Sequence, residues 1–118
     1  MNNRFIYHVC KNEEFDEALK MGRYEGSSQD KADGFIHFSS KEQVRTSVAK
    51  HRAGQDHLTL LEVDTSLLAD GLVWEPSRGG QLFPHLYGAL PIASISRTAT
   101  LRLQNDGVHN FPEWLIVD

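Results

Sequence analysis

Short apolar runs alternate along the chain with polar stretches punctuated by glycine, and the period of each run predicts its element. Phe5 to Cys10 is aromatic and β-branched and predicts a first strand. Asn12 then offers an N-cap for a helix over 13–21, with Phe15, Ala18 and Leu19 as its apolar stripe, Glu13 and Glu14 at the positive end of its dipole, and Gly22 as its stop. The polar segment EGSSQDKADG (25–34) predicts a loop, long enough by the usual length of connections to border a ligand site. GFIHFS (34–39) predicts a short strand that sends Ile36 and Phe38 to one face and Phe35, His37 and Ser39 to the other. Ser39-Ser40-Lys41-Glu42 has the form of a capping box, so a second helix is expected from there to about Arg52, with Val44, Val48 and Ala49 facing inward and Gly54 ending it. HLTLLEVD (57–64) is the strongest strand signal. Beyond it the pattern predicts one helical turn over Thr65 to Asp70, a strand over Leu72 to Glu75, and a turn at SRGGQ. The proline-bounded segment FPHLYGALP follows, then a long last strand from Ile92 to Leu103, and a tail that folds back with Phe111 and Trp114 over a core edge.

That order predicts an α+β fold, two early helices against a largely antiparallel sheet. The second half lacks the crossover helices that a doubly wound parallel sheet needs. Its 118 residues form one expected domain, 1–118, large enough to fold without disulfide or structural metal. No apolar run approaches a membrane span, and the N-terminus moves straight into strand-like sequence without the pattern of a signal peptide, so the cytoplasm is the expected compartment and no membrane partner is expected. One cysteine, Cys10, agrees with a reducing environment. A formal net charge of −4 opposes general nucleic-acid binding, and the basic group Arg45, Lys50, His51 and Arg52 reads as a solvated helix face. None of these patterns specifies an oligomeric state.

Candidate chemistry centres on histidine, which titrates near neutral pH. His8, His37 and His85 fall in strand-like segments flanked by large apolar residues, whereas His51, His57 and His109 read as surface positions. Convergence of the first three would build an acid–base or binding site; the alternative for each is a core-edge imidazole bonded to a backbone carbonyl. There is no HExxH or CxxC, so no metal is expected. Cys10 shares a strand face with His8, but a lone strand cysteine reads as a small hydrophobe. Ser77-Arg78-Gly79-Gly80 could cradle an anion or simply tip a hairpin, and Glu75 ends a strand near the same rim. Neither a P-loop nor a Rossmann motif is present.

Taken together, IYH (6–8), GFIHFS (34–39), LLEVD (60–64), WE (74–75) and FPHLYG (83–88) closely resemble the small bacterial family known as domain of unknown function 952, over about residues 5 to 103. That family is similar in fold to the ADP-ribosyltransferases, so the resemblance implies split, mixed or antiparallel sheets holding a dinucleotide in a cleft. Tyr7-His8 and His37-Phe38-Ser39 look like the first-strand Tyr-His and second-strand His-Phe of the tRNA 2′-phosphotransferases. By that resemblance His8 would bond ribose hydroxyls, His37 would contact ribose or phosphate, and Tyr87 would stack on a base or nicotinamide. Glu75 would stabilise an oxocarbenium-like state, with NAD as the implied cofactor; from the residues alone, Arg78 as an anion cradle and His85 as a converging histidine are further candidates for ligand binding. Where those transferases carry glycine after the first histidine, this chain has Val9-Cys10. The implied function is binding of NAD, ADP-ribose or a nucleotide, with ADP-ribosyl or 2′-phosphate transfer or hydrolysis. The alternatives are a non-catalytic protein-interaction module with structural histidines and, behind it, a metal-dependent hydrolase.

Overall fold

The structure is a computed structural model that describes residues 4–68 and 70–116, so Ala69, within the predicted turn, lies outside the described residues. β1 (Phe5–Lys11) pairs antiparallel with β4 (Leu58–Asp64), which pairs with β8 (Ile95–Leu103), and β8 with β9 (His109–Asn110). The order of this main sheet is β1-β4-β8-β9. A second sheet has the order β3 (Ile36–His37), β6 (Leu82–Leu86), β5 (Leu72–Pro76), and a two-stranded ribbon joins β2 (Arg23–Tyr24) to β7 (Leu90–Pro91). Every ladder among the described residues is antiparallel, which narrows the expected mixed or antiparallel sheets.

β4 is covered on both faces, so all seven of its residues are buried, Thr59, Glu62 and Asp64 among them. β1 alternates across the same divide. Ile6 and Cys10 enter one core with Leu61, Val63, Ile36, Phe38 and Tyr24, while Tyr7 enters the other with Leu58, Leu60, Val44, Val48 and Leu101. The chain beyond β3 ties the two main sheets together, since Tyr7 and Ser39 exchange backbone hydrogen bonds of 2.8 Å and the Phe38 amide donates to the Pro84 carbonyl. The sheets are therefore split but stitched at the point where the histidine-bearing strands meet.

The helices depart from the expected pair at the N-terminus. The first, α1 (Asn12–Met21), follows β1 rather than opening the chain, and its N-cap is Lys11, whose amide donates to the Glu14 carboxylate. Asn12 is already helical, and its side chain accepts a hydrogen bond from Thr59 instead. Phe15 and Ala18 pack inward but Leu19 is 52% exposed, because the stripe on this short helix is narrower than its spacing suggests. The segment 25–34, expected as a loop, contains α2 (Ser28–Asp33). α3 (Val44–His51) begins later than expected. Its capping exchange is between Ser40 and Gln43, one residue on from Ser39 and Glu42: the Gln43 amide donates to Ser40 Oγ, and the Ser40 amide donates to the Gln43 side chain. Val44 and Val48 are buried and Ala49 is exposed. The tail folds back as expected, with Phe111 and Trp114 against the second core. The long last strand starts at Ile95 because Ile92–Ser94 forms a 3-10 turn.

Candidate active site: two histidines, each on a carboxylate

His37 and His85 are cross-strand partners in the β3-β6 ladder, so their side chains leave the sheet on the same face, with ring centroids 5.5 Å apart. Ile36, Leu86 and Leu72, on the opposite face, pack into the first core. The alternation that buries Ile36 therefore turns His37 outward to the cleft.

Each imidazole has its Nδ1 on a carboxylate. His37 Nδ1 donates to Asp30 Oδ1 at 2.6 Å, and the His37 amide donates to the same oxygen at 3.1 Å. His85 Nδ1 donates to Glu75 Oε1 at 2.8 Å, and the Tyr87 hydroxyl donates to that oxygen at 2.7 Å. Such a bond fixes the ring tautomer and aims Nε2 outward. The Nε2 atoms differ in what they meet. That of His37 contacts Asp33 Oδ2 at 3.0 Å, whereas that of His85 has no partner among the described residues and reaches the cleft, although the residue is only 5% exposed. Phe35 stacks on the His85 ring at 4.2 Å and lies 5.2 Å from Tyr87.

Asp30 was not among the residues singled out by sequence, yet it organises the site. It is 3% exposed, and its second oxygen accepts the Ser27 amide while lying 3.6 Å from His8 Nε2. Burial alone would push this carboxyl upward. The His37 hydrogen bond, the nearby His8 ring and the Ser27 and His37 amides outweigh burial and hold it at about 2. Conversely, the Asp30 hydrogen bond raises the His37 pKa against partial burial, with Asp33 adding to it. Both ring nitrogens of His37 therefore face carboxylates, an arrangement that favours the imidazolium. A signal for Asp30 was present, because Ser27-x-x-Asp30 is a capping box and Gly34 is the left-handed C-cap of the short helix it starts.

His8 meets the other two at this point but in a different role. Its ring is 4% exposed, Nδ1 donates to the His37 carbonyl at 2.6 Å, and the Tyr24 hydroxyl bonds Nε2 at 2.7 Å. Burial pushes its pKa down despite the pull of Asp30, so the ring is neutral. Both nitrogens are taken by the protein, which is the arrangement of a core imidazole on a backbone carbonyl. His109, read as a surface residue, is buried with Nε2 donating to the Gln55 carbonyl, because β9 folds it under the loop after α3. Cys10 lies in the first core, and burial pushes its thiol up to about 12, which removes it from nucleophilic chemistry. Hydrogen bonds from His85 and Tyr87 hold the Glu75 carboxyl below its ordinary value.

The structure thus brings together His8, His37, Glu75, His85 and Tyr87. Arg78 stands in a 3-10 turn after β5, and its side chain lies outside the described residues. No group of three or more His, Cys, Asp or Glu among the described residues is arranged to hold a metal ion, and no helix is long and apolar enough to cross a membrane.

Fold and site define an α+β protein of antiparallel sheets with a pair of carboxylate-bound histidines facing one cleft. A family model described as "Protein of unknown function (DUF952)" matches residues 9–98, and the chain belongs to that family. It is similar to the crystal structure of protein CC0527 from Caulobacter crescentus, at 44% identity over 96% of this chain and 99% of that one, with a TM-score of 0.89. The solution structure of CC0527 matches at 47% identity over 89% of this chain and 90% of that one, with a TM-score of 0.78. No functionally curated protein matches the chain.

Proposed function

We propose that the cleft binds a nucleotide-like ligand, NAD or ADP-ribose in the first instance, and that His85 serves as base in transfer or hydrolysis at its ribose while His37 holds the ligand. The observation that carries this reading is the opposed imidazole pair, each ring oriented by a buried or half-buried carboxylate. A histidine whose Nδ1–H is held by a carboxylate presents a lone pair at Nε2, and His85 aims that atom into the cleft. There it can take the proton of a water or hydroxyl whose oxygen forms the new bond to the anomeric carbon. The glycosidic bond breaks with its electron pair on the leaving group. Nicotinamide leaves neutral and needs no proton, so His37, with Nδ1 on Asp30, is left to hold the ligand. Asp30, Asp33 and Glu75 set three carboxylates beside the two rings, which favours the positive charge of an oxocarbenium-like state. That balance supports the ADP-ribosyl alternative over 2′-phosphate transfer. Phe35 and Tyr87 supply aromatic surface beside the pair for a base or nicotinamide ring. His8 supports the floor beneath.

Thermal-shift titration with NAD, ADP-ribose and mononucleotides tests the reading. Stabilisation by NAD or ADP-ribose is expected in the native chain and is expected to fall sharply in His85→Ala and His37→Ala. Absence of any shift across that series would overturn the proposal and leave the interaction-module reading in its place.

A further inference from the structure

The Nε2 atom of His37 is taken by a side chain that can leave. Asp33 ends α2, and its side chain is 38% exposed. Its carboxylate lies 3.0 Å from His37 Nε2 in an ion-pair contact and accepts from the Gln29 side-chain amide at 3.1 Å to each oxygen. Gln29, Asp33 and His37 all line the cleft. Two donors of different kinds, one cationic and one neutral, therefore converge on one exposed carboxylate. Exposed ion pairs contribute little to stability, so such a contact yields readily to a competitor. By contrast, the inner Asp30 carboxylate is buried and held by the backbone amides of Ser27 and His37.

We infer that Gln29 Nε2 and His37 Nε2 form the docking point for an oxyanion of the ligand, a phosphate oxygen, and that Asp33 fills this point until the ligand displaces it. A phosphate accepting both donors would reproduce the bonds Asp33 makes and expel its carboxylate into solvent. The inference deepens the nucleotide reading and rests on it for which molecule carries the phosphate. It assigns Asp33 as a specificity-setting residue that penalises ligands lacking an oxyanion strong enough to replace it.

The test is NMR titration of the native protein, Asp33→Asn and Asp33→Ala with inorganic phosphate, following the His37 ring and Gln29 amide signals. Asp33→Ala should bind phosphate roughly two- to fivefold more tightly than the native chain, the size of one exposed charge contact removed, with Asp33→Asn shifted the same way. Adding His37→Gln to Asp33→Ala should abolish the gain. AMP should share the gain and adenosine should not; a gain with acetate equal to that with phosphate would overturn the assignment to phosphate. Equal phosphate affinity in all three proteins, or perturbation confined to residues away from His37 and Gln29, would overturn the inference. Tight phosphate binding at His37 in a protein that ignores every nucleotide would sustain the inference and sink the nucleotide reading. Nucleotide binding unaffected by Asp33 substitution would do the reverse.

Discussion

A carboxylate that is 3% exposed and still ionised makes Asp30 the residue on which acid stability turns. Its ordinary pKa of 3.8 falls to about 2 in the folded chain, so its contribution is complete above about pH 4 and is lost as the pH falls through about 2. The depression corresponds to roughly 2 kcal/mol. For His37 the direction reverses. Its folded pKa is raised, so the stability it adds is complete below its unfolded value near 6.5 and is lost as the pH rises through the folded value. Asp30→Asn should therefore lower the unfolding free energy by about 2 kcal/mol at neutral pH, measured by urea denaturation, and should flatten both limbs of the pH profile. An unchanged alkaline limb in that variant would separate His37 from Asp30. His8 and His85 are equally buried and differ in their partners, since both ring nitrogens of His8 are bonded by the protein and, among the described residues, only Nδ1 of His85 is. His8→Ala should destabilise by roughly 2–4 kcal/mol through its two orphaned partners and a cavity, whereas His85→Ala should lose ligand-dependent stabilisation with a smaller change in melting temperature.

At the scale of elements, α2 determines whether the site exists. The chain enters it through Gly26, at φ 100°, where an added Cβ would lie 2.7 Å from the Asp30 Cβ and 3.3 Å from Ile36 Cγ1. Neither neighbour can yield freely, since Asp30 is tied to two amides and Ile36 is core. Gly26→Ala should thus cost about 1–3 kcal/mol and displace Asp30 from His37, seen as a fall in the His37 pKa by NMR. Ser27→Ala should cost about 1 kcal/mol through the lost cap while leaving the His37 signal nearly in place. This helix shows where the sequence could and could not be read. β1 and β4 announced themselves through residues that are largely aromatic, β-branched or leucine, and alternation along β3 sent Ile36 inward and His37 outward as expected. α2 has six residues, only Asp30 buried, and no apolar stripe, so periodicity had nothing to detect and only the Ser27/Asp30 cap spoke for it. The same limit applies to the site. Strand alternation turned His37 away from the core, but which atoms His8 and His85 bond depends on Tyr24, Glu75 and the β3-β6 register, and local spacing does not determine that.

Across the whole molecule, one buried acid holds the main sheet to the tail. Glu62 on β4 accepts the Tyr7 hydroxyl, Ser96 Oγ and both Nε and Nη2 of Arg97, and the Arg97 guanidinium lies 4.3 Å over the Trp114 ring. β1, β4, β8 and α4 (Glu113–Ile116) are coupled through it. Arg97→Ala should destabilise by about 1–3 kcal/mol, because Glu62 would keep its burial and lose two charge-assisted donors, and Trp114 fluorescence should shift as the indole loses its cation. Arg97→Lys should recover only part, since an ammonium cannot make the bidentate contact.

Cys10, buried beside the floor of the cleft, carries a consequence in time rather than in space. A thiol held protonated and out of solvent can be alkylated only during openings of β1, so its modification rate under native conditions counts how often the strand bearing His8 lifts away. NAD or ADP-ribose bound above His37 should slow that clock in proportion to occupancy. Asp30→Asn should speed it, while a rate that ignores both ligand and Asp30 would mean that β1 opens independently of the cleft it underlies.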